Sequence, residues 1–147
     1  MNYTSTTSVT INAPKEKVWG GLTKPEMVKE YLFGTDMDTT WEIGSPIFFR
    51  GAWEGKTYED KGEVLSFEPM HTFSYTYLSS MSGTEDTPSN YQTLVFTLTE
   101  SEGGTVVTVD QSNSPTQEAS DHSASNWATV LKGMKKLIEG KEYLHKA

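Results

Sequence analysis

Three histidines and one arginine are the side chains of this 147-residue chain best suited to move a proton or hold an anion. His71 follows Glu68-Pro69 in a turn and is expected in solvent, and His145 lies in the C-terminal tail. His122 stands five residues before Trp127, near the start of a helical pattern. It reads either as a solvated or capping histidine or as a polar group at the mouth of a pocket. No two histidines share a ligand spacing and no His-Glu-x-x-His occurs, so no metal site is expected. Cysteine is absent, which removes thiol nucleophiles, disulfides and thiolate sites together. No Ser-centred elbow or carboxylate pair stands out. No catalytic residue and no cofactor are therefore assigned.

Arg50 sits in Ile47-Phe48-Phe49-Arg50-Gly51-Ala52-Trp53. Either it points outward to a surface carboxylate, or it reaches inward to meet a ligand anion. A buried, unpaired guanidinium is very costly, so an inward Arg50 needs a partner such as Glu42, Asp60 or Asp110. Gln111 shares the strand parity of Val107 and Val109, and a polar group on that apolar face must find a hydrogen bond. It is satisfied by the chain entering the final helix, or it orients a ligand.

The net charge of −8 disfavours nucleic acid and anionic lipid, and no basic cluster opposes it. Met1 to Thr10 is polar, without the apolar core of a signal peptide, and no run reaches the ~20 apolar residues that span a bilayer. A cytoplasmic protein without membrane insertion is expected.

The elements that must position these side chains follow from periodicity. Thr7 to Ile11 alternates as a half-buried strand. Pro14 suits the first turn of a helix carrying Val18, Trp19 and Leu22, which Gly20-Gly21 should stop within about two turns. Thr23-Lys24-Pro25-Glu26 has the form of a capping box before a second short helix. Strand signals then dominate: Met37–Trp41, Pro46–Trp53, Thr57–Phe67, Thr72–Leu78, Tyr91–Thr99 and Thr105–Gln111. The short turns between them, such as Glu54-Gly55 and Gly103-Gly104, force antiparallel pairing. Ser79 to Asn90 is a long polar loop. Ser114-Pro115-Thr116-Gln117 reads as a helix start, and the pattern from Gln117 to Glu139 predicts a helix roughly 35 Å long, with Gly140 as its stop.

This order specifies one α+β domain over residues 1–147. It is a helix-grip fold: a curved seven-stranded antiparallel sheet wrapped around a long C-terminal helix, with two short helices after strand 1. One helix is the main cover for the sheet, so a cup is expected between them. Leaving such space empty costs stability, and a cavity kept at that cost usually has a use. The expected ligand-binding set is Trp41, Phe48, Arg50, Trp53, Tyr75, Tyr77, Phe96, Gln111, His122, Trp127, Leu131 and Met134. For any single aromatic among them, ordinary core packing is an equal reading; together they favour a flat or hydrophobic ligand.

Ile11-Asn12-Ala13-Pro14-Lys15-Glu16-Lys17-Val18-Trp19, with Leu22-Thr23-Lys24-Pro25-Glu26, resembles the opening of the START-like, polyketide-cyclase-related (SRPBCC) superfamily. More narrowly it resembles homologues of the activator of the heat-shock-protein-90 ATPase. Trp41-Glu42-Ile43-Gly44, Gly62-Glu63-Val64-Leu65, Gly104-Thr105 and the closing helix from His122 through Trp127, Leu131, Lys135 and Leu137 continue the match. The resemblance implies the helix-grip fold across nearly the whole chain. For function it implies a range: carriers of small hydrophobic molecules, cyclase- or hydratase-type enzymes, and chaperone-interacting stress-response domains. Binding of a small hydrophobic molecule is the first expectation. The second is an enzyme using Arg50, Asp60, His122 or Gln111, and the third is a partner of a chaperone. Monomer and homodimer both remain open.

Overall fold

The computed structural model describes residues 3–32, 34–79 and 85–146, the side chains of Trp53 and of 141–146 excepted. Its elements run β1 (Tyr3–Ile11), α1 (Lys15–Thr23), α2 (Pro25–Tyr31), β2 (Asp36–Asp38), β3 (Pro46–Trp53), β4 (Lys56–Glu68), β5 (Thr72–Tyr77), a 3-10 turn (Pro88–Asn90), β6 (Gln92–Ser101), β7 (Gly104–Ser114) and α3 (Gln117–Lys146). The strands form one sheet in the order β1-β7-β6-β5-β4-β3-β2, and every neighbouring pair is antiparallel. This is the expected α+β helix-grip arrangement, a curved sheet grasping a long C-terminal helix. No helix among the described residues is long and apolar enough to cross a membrane.

Alternation decides which face is covered. Phe73 and Tyr75 of β5, Leu94, Phe96 and Leu98 of β6, and Val107, Val109 and Gln111 of β7 are all buried on the inner face. From α3 come Val130, Leu131, Met134 and Ile138, each almost wholly buried. At helical spacing they form one stripe, and burying each stabilises by roughly 1.5–3 kcal/mol. The helix packs mainly on β1 and also meets β7, α1 and α2. Its C-terminal half is fastened to the end of β1. Lys135 Nζ donates to Thr10 O at 2.7 Å, and Glu139 Oε2 accepts from Asn12 N at 2.8 Å. With α3 lying over β1 and β7, the concave face from β5 to β3 has less cover.

Local details depart from the sequence reading in identifiable ways. The second strand ends at Asp38 rather than Trp41, because Trp41 adopts a left-handed φ of 63° that turns the chain. No capping box forms at α2. Lys24 occupies the cap without a side-chain bond, and Thr23 Oγ1 donates back to Trp19 O at 2.8 Å. Gly20 and Gly21 lie inside α1 rather than stopping it. A Cβ on Gly21 would sit 2.7 Å from Ile138 Cδ1, so the glycine lets α1 approach α3 closely. Ser114 is spent at the buried end of β7, and the hydroxyl capping α3 is that of Thr116, which accepts from Ala119 N at 3.0 Å. Finally, α3 continues through Gly140 to Lys146. Of the long polar loop, residues 80–84 lie outside the described residues, as does the side chain of His145.

Candidate functional site

A two-residue turn sets the register of the site. Glu54 and Gly55 have φ of 49° and 80°, the double left-handed geometry of a tight hairpin. Trp53 therefore pairs with Lys56, and Phe49 with Asp60. Phe49, Tyr58 and Asp60 then face the same way, inward, while Phe48, Arg50, Glu59 and Lys61 face outward. Tyr58 lies across Gly51, its cross-strand partner, where a Cβ would approach the phenol oxygen to 2.5 Å. The Tyr58 hydroxyl meets Thr35 Oγ1 at 2.5 Å.

Between this inner face and the first half of α3 lies a cavity of about 1040 Å³. Its sheet side carries Phe49, Tyr58, Asp60, Tyr75, Tyr77, Leu94 and Gln111, and its helix side Ala119, His122, Ser123, Asn126 and Trp127. The rim is polar, with Glu118, His122 and Asn126 exposed. The floor is aromatic. Phe49 contacts Tyr75 and Tyr77 with centroids 5.5 and 5.9 Å apart, and Trp127 meets Phe96 edge-on at 5.4 Å.

Two polar groups are held within these walls. Tyr77 donates to Asp60 Oδ2 at 2.6 Å, and Asp60 is only 8% exposed. Burial, followed by the Asp60 charge, raises the Tyr77 phenol far above its ordinary value. Burial alone does the same to Tyr75. On the other side, Trp127 Nε1 donates to Gln111 Oε1 at 2.8 Å, and the Gln111 amide donates to Gln92 Oε1. Among the described residues no group of three or more His, Cys, Asp or Glu gathers as a metal site.

A family model described as activator of Hsp90 ATPase homolog 1-like protein matches residues 12–139. The chain belongs to that family. The activator of Hsp90 ATPase homolog 1-like fold, a START-like one, recurs in solved structures. A Cytophaga hutchinsonii protein solved in solution shares 41% identity at a TM-score of 0.82, with 96% of this chain and 97% of that one covered. A Mesorhizobium loti crystal structure is 26% identical at a TM-score of 0.76, covering 93% and 97%. The solution structure of the Aha1 dimer from Colwellia psychrerythraea, 21% identical at a TM-score of 0.71 over 93% and 96%, has the same fold. Comparison with curated protein sequences gave no match.

In this member of the activator of Hsp90 ATPase homolog 1-like family, five of the twelve residues expected to bind ligand line the main cavity: Tyr75, Tyr77, Gln111, His122 and Trp127. Phe96 and Leu131 border a small void of about 20 Å³ behind Tyr75 and Trp127. Met134 is fully buried, and Trp41 stacks on Phe67 at 5.3 Å with its Nε1 donating to Thr23 O, so both pack in the core. Phe48 and Arg50 are on the opposite face. Arg50 donates to Glu59 and Asp38 at 2.6 and 2.9 Å and lies over the Phe48 ring, 4.5 Å from its centroid. The outward alternative for Arg50 is the one the structure adopts, because two carboxylates are available there. The Trp53 side chain lies outside the described residues. Phe49, Tyr58 and Leu94 were missing from the expected set, although the hairpin turn and strand parity carried the signal for each.

Proposed function

We propose that this chain binds a small, mostly hydrophobic molecule in the cavity between its sheet and α3. The observation that carries this reading is the cavity itself. Its volume of about 1040 Å³ is at or slightly above the upper end of the roughly 300–1,000 Å³ usual for small-molecule sites. Aromatic and aliphatic walls with a few fixed polar groups are the composition such sites have. Tyr75, Tyr77, Trp127, Phe49 and Leu94 supply the apolar surface, while Asp60, Gln111 and His122 supply the polar points.

Binding to the folded state alone raises stability by mass action, by about 2.7 kcal/mol at a hundredfold excess over Kd. Thermal melting of the purified protein with neutral naphthalene derivatives should show a concentration-dependent rise in Tm. Ala119→Trp places an indole in the cavity from the helix side and should abolish that rise without unfolding the protein. An Ala119→Trp protein that responds as strongly as the parent would place binding elsewhere and end this reading.

A further inference from the structure

Trp127 fixes which way the amides of the cavity wall point. An indole nitrogen can only donate, so the Gln111 oxygen faces Trp127, at 2.8 Å, and the Gln111 nitrogen faces away from it. That nitrogen donates to Gln92 Oε1, and Gln92 turns its own nitrogen toward Ser114 Oγ at 3.5 Å. A primary amide carries two N–H donors, and only one of those on Gln111 is spent in this chain. Among the described residues the second has no partner. Gln111 is 7% exposed, so little of it is open to outside solvent. It lines the cavity beside Leu94, its cross-strand partner on β6.

An unmatched donor in a buried wall is costly, and an oxygen carried in by the occupant of the cavity relieves that cost. The rest of the lining selects the kind of oxygen. No lysine or arginine is among the described residues that line the cavity. A carboxylate or phosphate drawn down to Gln111 would give up its hydration without gaining either cation, which is expensive. A neutral carbonyl gives up far less and recovers it in one hydrogen bond. Leu94 across the strand pair and Trp127 on the helix offer apolar surface on either side of the amide.

We infer that the ligand of this cavity is a neutral hydrophobic carbonyl compound, its oxygen accepting the spare N–H of Gln111 and its apolar body lying against Leu94 and Trp127. This rests on the cavity being a ligand site and adds the chemistry of the ligand.

Three naphthalenes substituted at the same ring position test it. Acetylnaphthalene and isopropenylnaphthalene are near-isosteres that differ by an oxygen against a methylene group, and naphthoate adds a charge. Binding of each to the full chain is measured by equilibrium dialysis at neutral pH. Gln111→Met should lower the affinity of the ketone relative to the alkene about two- to tenfold, the worth of one hydrogen bond. Naphthoate should bind the parent protein more weakly than the ketone. Should Gln111→Met fail to fold, side-chain amide NMR of the parent protein replaces it. The Gln111 amide protons should move downfield with the ketone and not with the alkene, which brings the same ring. A ketone-to-alkene ratio unchanged by Gln111→Met, amide resonances that respond alike to both, or a preference for naphthoate overturns the carbonyl inference and leaves the carrier reading standing. Absence of binding by all three overturns both.

Discussion

The indole nitrogen of Trp127 donates to Gln111 Oε1 at 2.8 Å, joining the middle of α3 to the inner face of β7 at the edge of the cavity. The same Gln111 passes a hydrogen bond on to Gln92, which reaches Ser114 at 3.5 Å. The polar chain thus crosses from helix to β7 to β6 at the cavity wall. It answers how a glutamine is satisfied on the face of Val107 and Val109: both ends of its amide are used.

Removing one partner of that bond leaves the other without its mate on a partly buried surface. Gln111→Leu should therefore destabilise by about 1–3 kcal/mol, the cost of an unmet polar group. Trp127→Phe gives up the donor but keeps an aromatic ring against Phe96, whose edge contact is at 5.4 Å. Urea unfolding of both single variants and of the double variant checks the assignment. The double variant should lie closer to the more damaging single change than to their sum, because the two residues share one interaction. Full additivity would mean the bond contributes nothing.

The glycines separate into two kinds that predict opposite signs. A Cβ on Gly62 would lie 1.6 Å from Thr76 O, and one on Gly104 2.2 Å from Ile11 O, both backbone atoms that cannot yield. Gly62→Ala and Gly104→Ala should each be severely destabilising, at the upper end of the roughly 0.5–3 kcal/mol usual for single changes or beyond it. Gly140 is the reverse case. It lies within α3 and a Cβ there meets nothing within 4 Å. Gly140→Ala should stabilise by about 0.5–1 kcal/mol through helix propensity. Chemical denaturation of the three variants separates these outcomes, and a destabilising Gly140→Ala would contradict the continuous helix.

Much of the site was legible from spacing. Period-two alternation assigned β5, β6 and β7 their inner faces, and Tyr75, Tyr77 and Gln111 came with them. The β3–β4 hairpin held equal information, less easily read. Ile47-Phe48-Phe49 is apolar at three consecutive positions, so parity there needs an anchor. The two-residue turn at Glu54-Gly55 provides one, since it pairs Trp53 with Lys56 and hence Phe49 with Asp60. Once Arg50 is set outward, Phe48 goes with it and Phe49 faces the cavity. Helix ends were harder. Hydroxyl residues crowd Ser112 to Thr116, and only the end of strand pairing decides that Thr116 caps α3. The cavity volume has no sequence signature, because it depends on where α3 lies across the sheet.

The outward setting of Arg50 has its own test. Its guanidinium is bonded to Glu59 and Asp38 and stacked on Phe48, and those hydrogen bonds hold its charge more firmly than usual. All of these groups lie on the face away from the cavity. Arg50→Gln should leave the affinity for naphthalene ligands unchanged, while Ala119→Trp, inside the cavity, abolishes it. A loss of binding in Arg50→Gln comparable to that in Ala119→Trp would refute the face assignment of β3.

High pH offers a reading of the core that needs no mutation. The phenols of Tyr31 and Tyr77 are raised chiefly by burial, with the charges of neighbouring Tyr75 and Asp60 adding to it, and Tyr75 is raised by burial alone. A folded-state value above the unfolded one means the native protein holds its proton longer. The stability each contributes is intact below the ordinary phenol value of about 10 and is lost progressively as pH rises above it. With seven tyrosines in the chain, phenolate absorbance should rise in two stages. The later stage belongs to Tyr31, Tyr75 and Tyr77, whose phenols ionise only as the circular dichroism of the folded state disappears. A single smooth titration near the ordinary value, with secondary structure intact, would mean that Tyr31, Tyr75 and Tyr77 are open to water, and the aromatic floor of the cavity would not exist as described.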